Sequence, residues 1–328
     1  MAGNTTSNTS ALIRAEMYSQ LILDTIHNGL LPEGLHRDVT DFMDGDTLHV
    51  PTFGDVVIRD LTEDNDTPVD ALDTGEVTLT ISKHQGAGSY LTDEMREDSY
   101  KAAAFDAALP GKHLQAIKES YETNLLATSE SLQTQSDPNV INKFAHRFVA
   151  SGTSGIIALD DINYMKLAFD DAGIPDEGRI LIVDSVVEGT INTLSNLVSV
   201  SNNPMFEGVV TEGLSKAMRF SKNIYGFDIW VNTRLPTVSS ESVDTTSATV
   251  QAPSGSGTSA ASAVVCQAMC VADDTLKPYM GAWRRMPRTE AHRNVQKRRD
   301  EFYTTARWGF AGQRPQSLIT CFVNAATY

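Results

Sequence analysis

The residues of this chain whose types could do chemistry do not fall at the spacings that chemistry needs. Gly86-x-Gly88 has two glycines of a phosphate-cradling loop, but the later glycine and the strand–turn–helix context are missing. Gly152-Thr153-Ser154-Gly155 sets a serine among glycines without the Gly-x-Ser-x-Gly spacing of a nucleophile elbow. No Walker-type Gly-Lys-Ser/Thr triplet occurs, and the seven histidines include no His-Glu-x-x-His pair. Cys266, Cys270 and Cys321 form no Cys-x-x-Cys pair and have no histidine close in sequence. They read as buried reduced thiols in a cytosol-like setting, not as a zinc site. Carboxylates are plentiful, but most lie in stretches that read as solvated, whereas a catalytic pair needs a dry pocket to separate its pKa values. These residues predict no catalytic group, no cofactor and no metal site.

What the sequence does organise is charge. The chain has 328 residues, 42 acidic and 26 basic, for a net charge of −16. That balance argues against a protein whose whole surface binds nucleic acid, while leaving room for one face that does. Between Arg37 and Glu76 twelve acids stand against two basic residues, Arg37 and Arg59. Between Lys277 and Arg314 the balance reverses, with ten basic residues and three acids, Glu290, Asp300 and Glu301. The acidic stretch reads as a long hairpin. Residues 48–53 and 55–61 are extended, 77–81 alternate as a strand does, and the polar run 62–74 with Pro68 is a hydrated tip. Opposite blocks in one chain suit a repeated head-to-tail contact between copies. The residues that would carry it are Asp60, Glu63, Asp64 and Asp66 on one side and Arg284, Arg285, Arg288, Arg293 and Arg298 on the other. A DNA-facing lining and a solvated basic face are the other readings of the basic run.

The elements that must position these blocks are legible in part. Residues 1–10 are polar, lack a signal pattern, and read as mobile; Ile13, Met17, Leu21, Ile26 and Leu30 sketch a helical face ended by Gly29, Pro32 and Gly34. Residues 99–129 read as a helix interrupted at Pro110-Gly111, with Leu114, Ile117, Tyr121 and Leu125 as a stripe. Residues 156–185 read as an amphipathic helix delivered into a buried strand. Asp160 is the expected cap, Ile162, Met165, Phe169 and Ala172 one face, Gly173 the left-handed stop and Pro175 the block to continuation. The β-branched run 180–183 suits a strand covered on both sides. Helical character is expected at 190–200 and a strand at 226–231. Residues 237–262, thirteen of them Ser or Thr, read as an exposed, mobile insertion. No run approaches the ~20 apolar residues of a membrane-spanning helix.

The wording of three stretches resembles the major capsid proteins of tailed bacteriophages, which share the Hong Kong 97-type fold. The first is Asp-Asp-Ala-Gly-Ile-Pro (170–175), Glu-Gly-Arg (177–179) and Ile-Leu-Ile-Val (180–183), although Ser185 stands where such proteins often have proline. The second is Gly-Asp-Thr-Leu-His-Val-Pro (45–51), the acidic loop, then Val-Thr-Leu-Thr-Ile-Ser-Lys-His (77–84). The third is the aromatic stretch around Trp308-Gly309-Phe310, Arg314-Pro315, and the final apolar run 318–323. The resemblance implies an α+β fold with an N-terminal arm at 1–36 and an extended loop at 37–90. It implies a peripheral domain with a long spine helix at 91–150, continued by 277–328, and an axial domain at 151–276 carrying the flexible insertion 237–262. It implies a virion shell protein assembled in the host cytoplasm as pentamers and hexamers around double-stranded DNA. Scaffolding, portal and decoration proteins are further implied partners; no membrane is. An encapsulin-type compartment shares this fold and stays open as an alternative, as does a soluble α+β enzyme. Some relatives cross-link through a lysine, an asparagine and a carboxylate; nothing local marks Lys83 or Asn324 as reactive, and no cross-link is expected.

Overall fold

The computed structural model describes residues 31, 34–39, 45–54, 56, 58, 60, 71–99, 102–132, 137–194 and 223–324. The expected helix at 13–30, the hairpin tip at 62–70 and residues 195–222 lie outside them. The order begins β1 (His36–Asp38), β2 (Thr47–Phe53), β3 (Thr74–Thr80), β4 (Lys83–Thr92), α1 (Asp93–Asp98) and α2 (Ala102–Leu132). Next come β5 (Val140–Ile141), β6 (Phe144–Ala145), β7 (Arg147–Val149), α3 (Leu159–Asp171), β8 (Arg179–Val183) and α4 (Ser185–Asn192). The remainder is β9 (Asn223–Ile224), β10 (Phe227–Val231), β11 (Thr237–Ser239), β12 (Ser242–Val243), β13 (Gly257–Thr258), β14 (Ala261–Cys270), β15 (Tyr279–Asn294), β16 (Arg299–Gly312) and β17 (Leu318–Val323).

These elements form two main sheets. One is four-stranded in the order β1-β15-β16-β4. The other is seven-stranded, with β7-β17-β14-β8-β10-β9 in line and β11 on β14. The centre of the second is β8, whose alternate residues explain its apolar run. Leu181 and Val183 face a core shared with Ile162, Met165 and Phe169 of α3 and Val187 and Ile191 of α4. Ile180 and Ile182 face the opposite core, closed by Leu125 and Leu126 of α2. The strand is therefore covered on both sides, as its composition requires.

The turn into β8 is built locally. Gly173 takes φ +72°, and Ile174 N–H donates to the Phe169 carbonyl at 3.0 Å, closing the helix end. The buried Arg179 guanidinium then pins the turn, donating to the carbonyls of Ile174 (2.5 Å) and Pro175 (2.9 Å) and pairing with Asp170 at 2.8 Å. The cap of α3 differs from expectation. Asp161, not Asp160, accepts from Ala158 N–H at 2.8 Å and Ser151 N–H at 3.0 Å, and it is fully buried. At the other end of β8, Asp184 caps α4 by accepting from Val186 N–H at 3.3 Å. Ser185 thus occupies the first helical position, where proline also fits, so the departure from the resembling segments keeps the helix start.

Helix α2 joins the two sheets and corrects the expected interruption. It runs 31 residues without a break through Pro110. Ile117 packs on Ala306 and Trp308 of the four-stranded sheet, and Tyr121 stacks on Trp283 at 4.3 Å and 5°. Further along, Gln267 of β14 donates to the Leu126 carbonyl at 2.8 Å while accepting from Tyr279 Oη at 3.0 Å. Burial on both sheets holds the helix through the proline. Leu114, expected in the buried stripe, is exposed in the single chain.

Two further expectations are corrected. The Ser/Thr-rich stretch 237–262 does not project as an exposed insertion. Val238 and Val243 are buried against Val149, Val265 and Phe322, and β12 pairs with β13. Its Glu241 accepts from the fully buried Arg147 at 2.6 Å, which also pairs with Glu130 of α2 at 3.0 Å. The C-terminal strand β17 lies between β14 and β7 in the seven-stranded sheet, so only 279–312 of the segment 277–328 belongs to the four-stranded one. A strand buried on both faces with two partners can be placed only by its long-range pairing, which local sequence does not carry.

His146, fully buried beside β7, makes the fold pH-sensitive. Its Nδ1 lies 3.2 Å from the Leu318 carbonyl, which can only accept, so the Nδ1–H tautomer is fixed. Burial pushes this imidazole down to about 4. The unfolded chain, with a histidine near 6.5, therefore takes up the proton first as pH falls. Stability is full above pH ~6.5 and is lost toward pH ~4, by about 3 kcal/mol. Chemical denaturation between pH 7 and pH 4.5 should show wild type losing stability more steeply than His146→Leu; parallel profiles would contradict this.

Candidate assembly surfaces

The acidic hairpin is real at its base. β2 and β3 pair antiparallel from Thr47 opposite Thr80 to Phe53 opposite Thr74. Leu79 and Ile81 pack on Met280 and Ala282, with Leu48, Val50 and Val77 alongside, so the root is seated on β15. That seat needs Gly309 of β16, where a Cβ would collide with the Thr80 carbonyl oxygen and lie 2.9 Å from Ile81 Cα. Val56 is 78% exposed and Ile58 94%, and Asp60 is exposed as well. Glu63, Asp64 and Asp66 lie outside the described residues.

The basic run forms the hairpin β15–β16. Two register shifts, between Trp283 and Arg285 and between Arg285 and Arg288, interrupt β15. Pro287 sits in the second, where a strand tolerates a missing donor. Arg284, Arg285 and Arg288 are exposed, and Arg285 and Arg288 approach the same Glu290 carboxylate at 3.2 and 3.3 Å. Arg293 is committed within its own chain. It donates to both carboxylate oxygens of Asp93 at 2.6 Å and to Asp300 at 3.1 Å. That pairing, through the Arg293 hydrogen bond above all, holds the Asp93 carboxyl below the usual range. Arg298 occupies the turn between the strands at φ +48°. The structure thus brings Arg284, Arg285 and Arg288 together and sets Arg293 and Arg298 at the far end.

The outward face of this sheet holds residues that charge counting missed. Tyr90 is 57% exposed and Tyr303 45%. Register places Tyr90 opposite Glu301, Gly88 opposite Tyr303 and Gly86 opposite Thr305. Gly86-x-Gly88 is therefore no ligand loop but part of a strand lying under bulky neighbours. A Cβ at Gly88 would sit 3.0 Å from Tyr303 Cδ1, so the ring lies across the glycine. Tyr303 Oη donates to Glu301 at 2.6 Å, Arg299 Nε does so at 2.6 Å, and the Arg299 guanidinium stands 4.4 Å over the Tyr90 ring. The Tyr303 and Arg299 hydrogen bonds hold the Glu301 carboxyl down at about 2. The available signal was the alternation of glycine and tyrosine along 86–90, which argues for a strand rather than a loop.

Other chemistry-bearing groups are engaged in holding the fold. Glu122 of α2 accepts from Leu31 N–H at 3.3 Å, pairs with Arg234 at 3.4 Å and is hydrogen-bonded by Asn232. Burial raises its carboxyl above the usual range. Asn324 donates to the Ser154 carbonyl at 2.5 Å and accepts from Ala260 N–H at 3.3 Å, so both ends of its amide are occupied. Cys266, Cys270 and Cys321 are free and buried; burial pushes the Cys266 thiol up to about 12. Among the described residues no group of three or more His, Cys, Asp or Glu is placed to hold a metal ion. No described helix is long and apolar enough to cross a membrane.

A long helix bridges the two sheets, and a hairpin is rooted on one of them. Solved structures share this fold across nearly the entire chain. The capsid of the cyanophage P-SCSP1u matches at TM-score 0.67 and 12% identity, over 99% of this chain and 96% of that one. The mature capsid of bacteriophage PhiM1 matches at TM-score 0.68 and 12% identity, over 98% and 96%. A chain from Mycobacterium phage Che8 matches at TM-score 0.60 and 14% identity, over 94% and 96%. No family model matches the sequence, and no curated protein does. The chain has the Hong Kong 97-type capsid fold.

Proposed function

We propose that this chain is a structural major capsid protein, copies of which assemble as pentamers and hexamers into an icosahedral shell around double-stranded DNA. The observation that carries the reading is the near-complete, two-way coverage by phage capsid subunits, with no large part of either chain left over. In this reading the four-stranded sheet with α2 is the peripheral domain and the seven-stranded sheet the axial one. The mechanism is assembly. Apolar surface left open on the hairpin is covered by neighbours, in interfaces that bury roughly 2,000–5,000 Å² when obligate. Like-charged copies repel, but salt screens exposed charges beyond ~8 Å, so short-range burial and opposite-charge pairing prevail. The acidic hairpin, with Asp60, Glu63, Asp64 and Asp66, meets the cluster Arg284, Arg285 and Arg288 of the next copy. Scaffolding, portal and decoration proteins are its further partners.

Reversal of Arg284, Arg285 and Arg288 to glutamate tests the contact. These side chains are exposed, so the variant subunit should unfold within about 0.5 kcal/mol per substitution of wild type. Its particles should be absent by sedimentation at a concentration where wild type assembles. Normal particles from the variant would overturn the inter-subunit assignment.

A further inference from the structure

We propose that Arg307, Arg285 and His84 form a binding site for inorganic phosphate on the face of the four-stranded sheet turned away from α2. The site belongs to the single subunit and does not depend on the shell reading. Ala306 and Trp308 pack on Ile117 of α2, so Arg307, between them on β16, points to the other face. Register sets Arg285 of β15 opposite it on one side and His84 of β4 on the other. Directly paired residues share a face, so three basic side chains stand in one row across strands about 4.8 Å apart. The next row holds Gly86, Thr305 and Arg288, again without an acid. Like charges set directly opposite destabilise a sheet, and a row of this kind calls for a counter-ion.

Arg307 is the member whose need is unmet. It is partly buried, its Nε is shielded from solvent without a hydrogen-bond partner, and no carboxylate among the described residues pairs with it. A guanidinium withdrawn from water without an acceptor is costly, and its planar fork of donors matches phosphate oxygens two at a time. Arg285 is only half engaged, sharing the Glu290 carboxylate with Arg288 at 3.2 and 3.3 Å. The number of donors sets the ligand class. Two guanidinium groups, an imidazole and the Thr305 hydroxyl come from three strands. A carboxylate offers two oxygens in one plane, whereas tetrahedral phosphate offers four and carries more than one negative charge at pH 7. Gly86 adds no side chain to its row, so the β4 side stays open to the ion. A site one ion wide, on a chain of net charge −16, suits free phosphate rather than a phosphodiester polymer.

Thermal unfolding of the dilute full-length subunit, in inorganic phosphate and in chloride of equal ionic strength, tests the site. Phosphate stabilises folded proteins generally by exclusion from their surface, so the readout is the difference between wild type and Arg307→Gln. The variant loses a repelling charge and should fold in chloride as wild type does. In phosphate, wild type should gain a saturable increment that the variant lacks. Phosphorus NMR line broadening should show phosphate affinity lower by about tenfold or more in the variant. Glu290→Gln, at an exposed position, gives the opposite sign. It removes the carboxylate that competes for Arg285, so phosphate should bind more tightly. Equal phosphate increments in wild type and Arg307→Gln, or weaker binding in Glu290→Gln, would overturn the assignment. So would a single-stranded oligonucleotide that displaces phosphate at equal phosphate concentration, which would give the row to nucleic acid instead.

Discussion

Replacing Arg147 by alanine should lower the unfolding free energy of the subunit by about 3–5 kcal/mol. The guanidinium is fully buried, forks onto both oxygens of Glu130 at 3.3 and 3.0 Å, reaches Glu241 at 2.6 Å, and stacks 4.5 Å over the Phe322 ring. Its removal strands the Glu241 carboxylate without its cation and opens a space above Phe322. Three distant parts of the chain lose their common tie: the end of α2, strand β7 and the Ser/Thr-rich stretch. Equilibrium urea unfolding at pH 7.5 measures the effect, and a loss below about 1 kcal/mol would mean that the network contributes packing rather than charge pairing.

Gly309→Val should cost about 1–3 kcal/mol by overpacking and also remove particle formation. The added Cβ meets backbone, the Thr80 carbonyl and Ile81 Cα, rather than the yielding end of a side chain. Relief requires the β3–β4 connection to lift off the sheet, and that connection aims the whole hairpin. Stability and assembly should therefore fall together, with assembly the more sensitive. Urea unfolding paired with sedimentation of the same preparation reads both. Wild-type assembly in this variant would mean that the hairpin's direction is not set at its root.

How much of this was legible depended on how far apart the determining partners lie. The helix–turn–strand unit was readable because Gly173, Pro175 and the run at 180–183 act on their immediate neighbours. Its cap was misplaced by one residue because the donors, Ser151 and Ala158, come from the loop before it. Proline at position 110 reads as a break in any local view, with an intrinsic cost near 3 kcal/mol. It stays helical because Leu109, Ile117, Leu125 and Leu126 are buried along the same helix. The Ser/Thr-rich stretch has too little apolar surface to fold alone, and it is ordered by residues such as Arg147 more than ninety positions away. The charge blocks are local runs and so could be read directly; they fall around the β2–β3 hairpin and on β15–β16. Exposed tyrosines over glycines could be recognised only once register had set β4 against β16.

Electron microscopy of the purified full-length chain tests the central claim most directly. At concentrations and salt that favour assembly, closed shells of uniform diameter are expected, with pentameric and hexameric clusters on their surface. A protein that stays a small, discrete oligomer under every condition tried, with Val56, Ile58, Tyr90 and Tyr303 still exposed, would contradict the account.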